Sequence, residues 1–183
     1  MRSTTEIILR VTLALALALA VFSAAEATAQ EDPIRIGVMG PTTGPWASEG
    51  QDMLNVVIIL ADELNQAGGI NGRKVEIFAA DDGGNPKTAT LATQQLIADE
   101  VVAVVGTYGS NVTEATQDIY SEAGIVQIAT GSTAVRLSEK GLERFFRTCP
   151  RDDEQGKVMA QHVRDLGFKK VAIVHDNTSY SKG

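Results

Sequence analysis

The chain has 183 residues, a formal net charge of −7 and a single cysteine, Cys149. An acidic chain without basic clusters argues against nucleic acid or an anionic membrane surface as partner. One cysteine allows no internal disulfide, and Cys149 reads as a small buried hydrophobe, because a catalytic thiol needs an activating base beside it.

The first residues read as a secretory signal. Arg2 and Arg10 make a positive start diluted by Glu6, Val11 to Phe22 is apolar, and Ala27-Thr28-Ala29 is a small-x-small cleavage site. The mature chain is expected to start at Gln30, in the periplasm. The apolar run is too short for a membrane span, which needs about 20 residues. No cysteine follows it to carry a lipid.

The mature part alternates strand and helix. Ile34 to Met39 is the first strand, followed by a Gly/Pro/Thr loop from Gly40 to Pro45. Glu49 to Ala67 is a helix with Met53, Val56, Val57, Leu60 and Leu64 on one side, ended by Gly68-Gly69. Asn71-Gly72 is a turn, and Lys74 to Ala80 is the second strand. Asn85 caps and Pro86 opens the next helix, Lys87 to Asp99. Strand three is Val101 to Val105, the third helix Thr113 to Ala123 and strand four Ile125 to Ala129. A looser stretch from Ala134 to Gly141 leads to Phe145-Phe146-Arg147. After Pro150 a helix runs from Asp152 or Asp153 to Leu166. Lys170 to His175 is expected as a fifth strand. The chain then ends in a strand-end loop with no helix after it, which reads as a truncated product. Strand and helix in alternation imply a mainly parallel α/β sheet flanked by helices.

Two loops carry most of the functional signal. Strand three breaks into Gly106-Thr107-Tyr108-Gly109-Ser110-Asn111, and strand four into Thr130-Gly131-Ser132-Thr133. Such loops face the ligand crevice of an open α/β sheet, where glycines admit close approach and hydroxyls beside a helix start favour an anion. Neither loop has Lys or Arg, so a small carboxylate fits better than a phosphate. Trp46, Tyr108 and Tyr180 lie in strand-end loops, each either a packing residue or an apolar wall for a ligand. Asp81-Asp82, followed by Gly83-Gly84-Asn85-Pro86, reads first as a turn and cap, and second as metal or acid-base chemistry. His162 and His175 read as a surface imidazole and a strand-end hydrogen bonder. No nucleotide fingerprint, nucleophile elbow or metal spacing occurs, so no cofactor and no catalysis are expected.

In these residues the chain resembles the substrate-binding proteins of branched-chain amino acid ABC transporters, the leucine/isoleucine/valine-binding type. The resemblance rests on Ile34 to Val38 with Thr43-Gly44-Pro45, Asn65-Gln66-Ala67-Gly68-Gly69-Ile70-Asn71-Gly72, Asp81-Asp82 with Asn85-Pro86, and Asp118-Ile119-Tyr120. It continues through Phe146-Arg147-Thr148, Asp153 to Gly156, and Val171 to Asp176 with Tyr180. It implies a type I periplasmic binding fold of two α/β lobes that close on a ligand. The expected division is residues 1–29 as signal, 30–148 as first lobe, and 149–183 as hinge crossing and incomplete second lobe.

The resemblance also implies roles. Ser110 holds the ligand carboxylate, Thr133 contacts carboxylate and amine, and Gly131 works through its backbone, with Ser132 beside it. Tyr180 closes over the ligand, and Trp46 lies in the loop that lines the side-chain pocket; Tyr108 is a ligand-binding candidate from its strand-end loop alone. The family's acid that pairs with the ligand ammonium is expected beyond Gly183, and a family disulfide is absent because Gly84 and Gly109 hold its positions. The expected partners are an amino acid and a membrane permease, with the protein a monomer. A secreted α/β enzyme acting on a small carboxylate, or a receptor's ligand-binding module, are the alternatives.

Overall fold

The computed structural model describes residues 32–182, so the expected signal, residues 1–29, lies outside the described residues. Five parallel strands form one sheet in the order β2-β1-β3-β4-β5. They are β1 (Ile34–Gly40), β2 (Val75–Asp81), β3 (Ala103–Val105), β4 (Val126–Ala129) and β5 (Phe145–Arg147). The helices are α1 (Ala47–Gln66), α2 (Pro86–Ala98), α3 (Ser110–Glu122), the one-turn α4 (Arg136–Glu139) and α5 (Asp152–Asp165).

Side chains alternate across β1 and sort the helices by face. A Cβ on Gly37 would touch Leu96 of α2, and one on Gly40 would touch Met53 of α1. The core therefore forms between the Gly37–Met39 face and the α2–α3 pair, from Met39, Leu96, Val104, Val112 and Tyr120. On the other face α1 fits closely, since a Cβ on Gly50 would lie 2.2 Å from the Pro41 carbonyl oxygen.

The expected helices form with shifted starts. Asn85 caps α2 as read, its Oδ1 accepting from Lys87 N at 2.9 Å and Thr88 N at 3.4 Å. Helix α3 starts at Ser110, three residues ahead of the expected Thr113, because extended Gly109 serves as N-cap and Ser110 is buried in the first turn. The looser stretch after Ala134 holds the single turn α4.

Lys170 to His175 does not form a strand, which corrects the sequence expectation. The sheet's fifth strand is Phe145–Arg147, paired with β4 from Gln127↔Phe145 to Ala129↔Arg147. Hydropathy alone makes residues 170–175 strand-like, but a strand needs a ladder partner. Here Ile173 and Val174 are 89% and 93% exposed, with none among the described residues.

Candidate functional site

Parallel pairing puts the carboxyl ends Gly40, Asp81, Val105, Ala129 and Arg147 on one edge of the sheet. The chain runs from β1 outward to β2, then back past β1 to β3. The order thus reverses between β1 and β3, and the loops leaving these two strands part to form a crevice. A cavity of about 140 Å³ lies there, bringing together Trp46, Tyr108, Ser110, Gly131 and Tyr180, with Asp176 and Thr178 also on its wall.

One side is aromatic. Trp46 and Tyr108 meet edge to face, with ring centroids 5.9 Å apart and planes at 61°. Two glycines make room for these rings. A Cβ on Gly84 would lie 3.0 Å from Trp46 Cε3, and one on Gly131 would lie 2.7 Å from Tyr108 Cδ2.

The other side is polar. The first N–H groups of α3 lack intrahelical acceptors, and the N-cap Gly109 offers no side chain to satisfy them. Ser110 Oγ accepts from Ala134 N at 3.2 Å, which leaves the hydroxyl proton to be donated. Ser132 and Thr133 do not line the cavity. Ser132 turns its hydroxyl inward to Thr113 Oγ1, 2.5 Å away. Thr133 Oγ1 is buried without a partner among the described residues.

Negative charge stands near this polar end. At the cavity wall, Asp176 Oδ1 accepts from Ser181 Oγ at 2.5 Å, Thr178 Oγ1 at 2.7 Å and Thr178 N at 2.9 Å. Those hydrogen bonds, the Ser181 hydroxyl foremost, hold its carboxyl down at about 2. Asp152 heads α5, and its N–H donates to the Thr133 carbonyl oxygen at 3.0 Å, while its Oδ2 is buried without a partner among the described residues. From sequence Asp152 showed only as a helix start. Its burial beside Thr133 follows from the β5-to-α5 connection, which no local pattern encodes.

Arg147 is a second residue whose role the sequence did not reveal. Its guanidinium donates to the carbonyl oxygens of Ala134 at 2.9 Å, Ser132 at 3.1 Å and Val135 at 3.4 Å, and to Ser138 Oγ at 2.5 Å. One side chain thereby holds the loop after β4.

The two aspartates after β2 serve the turn. Asp81 accepts from Thr43 Oγ1 at 2.5 Å, Gly83 N at 2.9 Å and Thr43 N at 3.2 Å. Burial pushes its carboxyl up, but these bonds outweigh that and leave it below the ordinary value. Asp82 is fully buried, accepts from Gly84 N at 2.7 Å, and leaves Oδ2 unpartnered. Burial raises its carboxyl to about 6, with the Asp81 charge adding to the rise and the Gly84 N–H opposing it. Cys149 is half-buried rather than buried, donates its S–H to the Ser132 carbonyl oxygen at 3.3 Å, and is pushed up by burial. His162 is exposed on α5, and His175 Nδ1 accepts from Asn177 N at 3.1 Å. Among the described residues no group of three or more acidic, His or Cys side chains could hold a metal ion, and no helix is long and apolar enough to cross a membrane.

The cavity thus sets hydroxyl and N–H groups at the start of α3, one carboxylate, Asp176, and the Trp46–Tyr108 rings around a space for a small molecule. Known proteins resemble the chain over most of its length. An amino acid binding protein of Pseudomonas aeruginosa is 42% identical over 150 residues, 81% of this chain and 40% of its own length. The Leu/Ile/Val-binding protein homolog 3 of Brucella melitensis is 39% identical over 158 residues, 86% of this chain and 43% of its own. The chain thus spans about two fifths of the length of these curated relatives.

Among solved structures, the branched-chain amino acid transporter substrate-binding protein of Streptococcus pneumoniae, in complex with isoleucine, superposes with a TM-score of 0.69 at 30% identity. The match covers 73% of this chain and 38% of that one. An ABC transporter substrate-binding protein of Desulfitobacterium hafniense in complex with Leu gives 0.68 at 29% identity, covering 84% and 44%. A family model described as periplasmic binding protein matches residues 33–183. With that model matching nearly all of the described residues, the chain belongs to the periplasmic binding protein family.

Proposed function

We propose that the chain is the ligand-capturing portion of an exported solute-binding protein that takes a small amino acid, branched-chain by preference, and passes it to an ABC transporter permease. The observation that carries this reading is Ser110, buried in the uncapped first turn of α3, in one cavity with the Trp46–Tyr108 wall. Ser110 donates to the ligand carboxylate, and Thr133, outside the cavity lining with its hydroxyl unpartnered among the described residues, turns to the same end on binding. Asp176, on the cavity wall, meets the ammonium, and Asp152 behind Thr133 adds negative potential. Tyr180 packs over the ligand, whose apolar side chain lies against the two aromatic rings.

Capture makes and breaks no bond, and the protein is not an enzyme. Residues 1–29 direct export to the periplasm and are removed, residues 30–148 form the first lobe, and residues 149–183 begin the second. The protein acts as a monomer.

Trp46 is the only tryptophan and lines the cavity, so its emission reports occupancy. Titration with leucine, isoleucine and valine is expected to change it saturably at millimolar concentration, about −4 kcal/mol. Lysine and glutamate are expected to leave it unchanged, because a charged side chain would lie against apolar rings. No response to any branched-chain amino acid, or an equal response to lysine, overturns the reading.

A further inference from the structure

Beneath the cavity lie three fully buried hydroxyls that do not face it: Thr107 after β3, Thr113 on α3 and Ser132 after β4. The Thr107 and Thr113 hydroxyls are hydrogen-bonded to each other. Thr113 Oγ1 and Ser132 Oγ are 2.5 Å apart. Ser132 Oγ in turn donates to main-chain carbonyl oxygens, Tyr108 at 3.2 Å and Thr107 at 3.4 Å.

Each hydroxyl has one proton, so a chain of them must end on a group that only accepts. The Tyr108 carbonyl is such a group. The donation order Thr107 to Thr113 to Ser132 to the Tyr108 carbonyl satisfies every member once, with the Gly109 carbonyl, 3.3 Å from Thr113 Oγ1, as a longer second acceptor at the middle. It commits the Ser132 proton, which is then not available to a ligand. Thr113 is the middle of the chain and touches both neighbours. It also stands one helical turn after Ser110, on the same face of α3.

We infer that Thr113 and Ser132 are positioning residues, which lock the first turn of α3 and the loop holding Gly131 into one register without touching the ligand themselves. The inference rests on the reading of Ser110 as the carboxylate holder. Apolar packing alone would let α3 rotate or slide against the two loops. Directed hydrogen bonds among buried hydroxyls admit one arrangement, and a fully satisfied buried network rigidifies what it joins. The main-chain bonds from Thr130 N and Gly131 N to the Thr107 carbonyl, 3.2 and 3.4 Å, tie the same loops from the other side. The hydroxyl chain adds a buried tie from the helix to both loops, beside the bond from Ala134 N to Ser110 Oγ.

The test uses the whole chain and two readouts, amide resonances of Ser110, Asn111 and Gly131, and leucine affinity by Trp46 emission. Thr113→Val keeps the volume and removes the hydroxyl. It is expected to shift all three resonances and to weaken leucine about tenfold, one decade per 1.4 kcal/mol. Thr113→Ser is expected to restore both. Ser132→Ala, at the end of the chain, should reproduce the valine effect, and it decides the matter if Thr113→Val does not fold. Unmoved resonances in the folded valine or alanine variant, or a failure of Thr113→Ser to restore them, overturns the inference. Ser110→Ala separates the two ideas. If it leaves leucine affinity unchanged while Thr113→Val still shifts Gly131, the carboxylate reading fails and the register lock stands.

Discussion

The N–H of Asp152 donates to the Thr133 carbonyl oxygen over 3.0 Å, and each of the two residues also buries a side-chain oxygen that has no partner among the described residues. A buried carboxylate oxygen without a donor is costly unless a cation meets it. This pair therefore joins a free acceptor and a hydroxyl at the junction between the first turn of α5 and the loop after β4. Asp152→Asn is expected to weaken leucine by up to about tenfold, because it removes negative potential near the ammonium. The 2-hydroxy analogue, which lacks the ammonium, should bind both forms alike. Competition titrations on the two proteins check it, and a parallel loss for both ligands counts against an effect on the ammonium.

Ser110→Ala and Thr133→Ala should each weaken amino acid binding by roughly 10- to 150-fold, from about 1.5–3 kcal/mol for a hydrogen bond to a charged group. Calorimetric titration of leucine into each variant measures it. Unchanged affinity in both would remove the carboxylate assignment.

Gly131→Ala puts a methyl group 2.7 Å from Tyr108 Cδ2 and 2.9 Å from its carbonyl oxygen. Tyr108 must move, and Trp46 packs on it. The expected outcome is a loss of about 1–3 kcal/mol of stability with a shift of Trp46 emission in the unliganded protein. Urea unfolding followed by fluorescence reads both quantities at once.

Asp82 makes stability depend on pH. Its carboxyl stands at about 6 in the fold against an ordinary 3.8, with Asp81 and Tyr120 as the titratable groups that face it. The folded state therefore binds the proton more tightly than the unfolded chain. Its contribution is fully present below about pH 4 and is lost as pH rises through about 6. The change amounts to on the order of 3 kcal/mol. Asp82→Asn keeps the acceptor for Gly84 N and is expected to flatten this dependence, leaving the variant more stable than wild type at pH 7. Urea melts between pH 4 and pH 7 decide it.

Arg147→Lys replaces a fork that spans three carbonyls and a hydroxyl with a single point charge. A loss of about 1.5–3 kcal/mol is expected. Arg144→Lys, on an exposed neighbour, should cost little. Thermal unfolding of the two variants makes the comparison.

The sheet was legible because each helix of the α/β repeat closes with its own punctuation, as Asn85-Pro86 opens α2 and Gly124 follows α3. The crevice was legible because Gly, Ser and Thr cluster where β3 and β4 end. What escaped was long-range. Gly109-Ser110-Asn111 carries turn residues, so the early start of α3 was hidden until the burial of Ser110 fixed it. Ser132 looked like a neighbour of Gly131 facing a ligand, and only the packing of Thr113 beneath it turns the hydroxyl away. Asp152 and Arg147 owe their places to the connection through β5. Lys170 to His175 has a strand's composition, and composition says nothing about whether a neighbouring strand exists.

That last stretch bears on how chains of this length behave toward one another. Val171, Ile173 and Val174 are 64%, 89% and 93% exposed in a stretch outside helix and strand, with no ladder partner among the described residues. Such an edge is a template for sheet formation between molecules. Lys169 and Lys170 flank it as charged gatekeepers, and the net charge of −7 adds general repulsion. Salt screens that repulsion while leaving the apolar edge as it is. Added salt is therefore expected to favour contact between copies through residues 170–175, which light scattering against ionic strength measures.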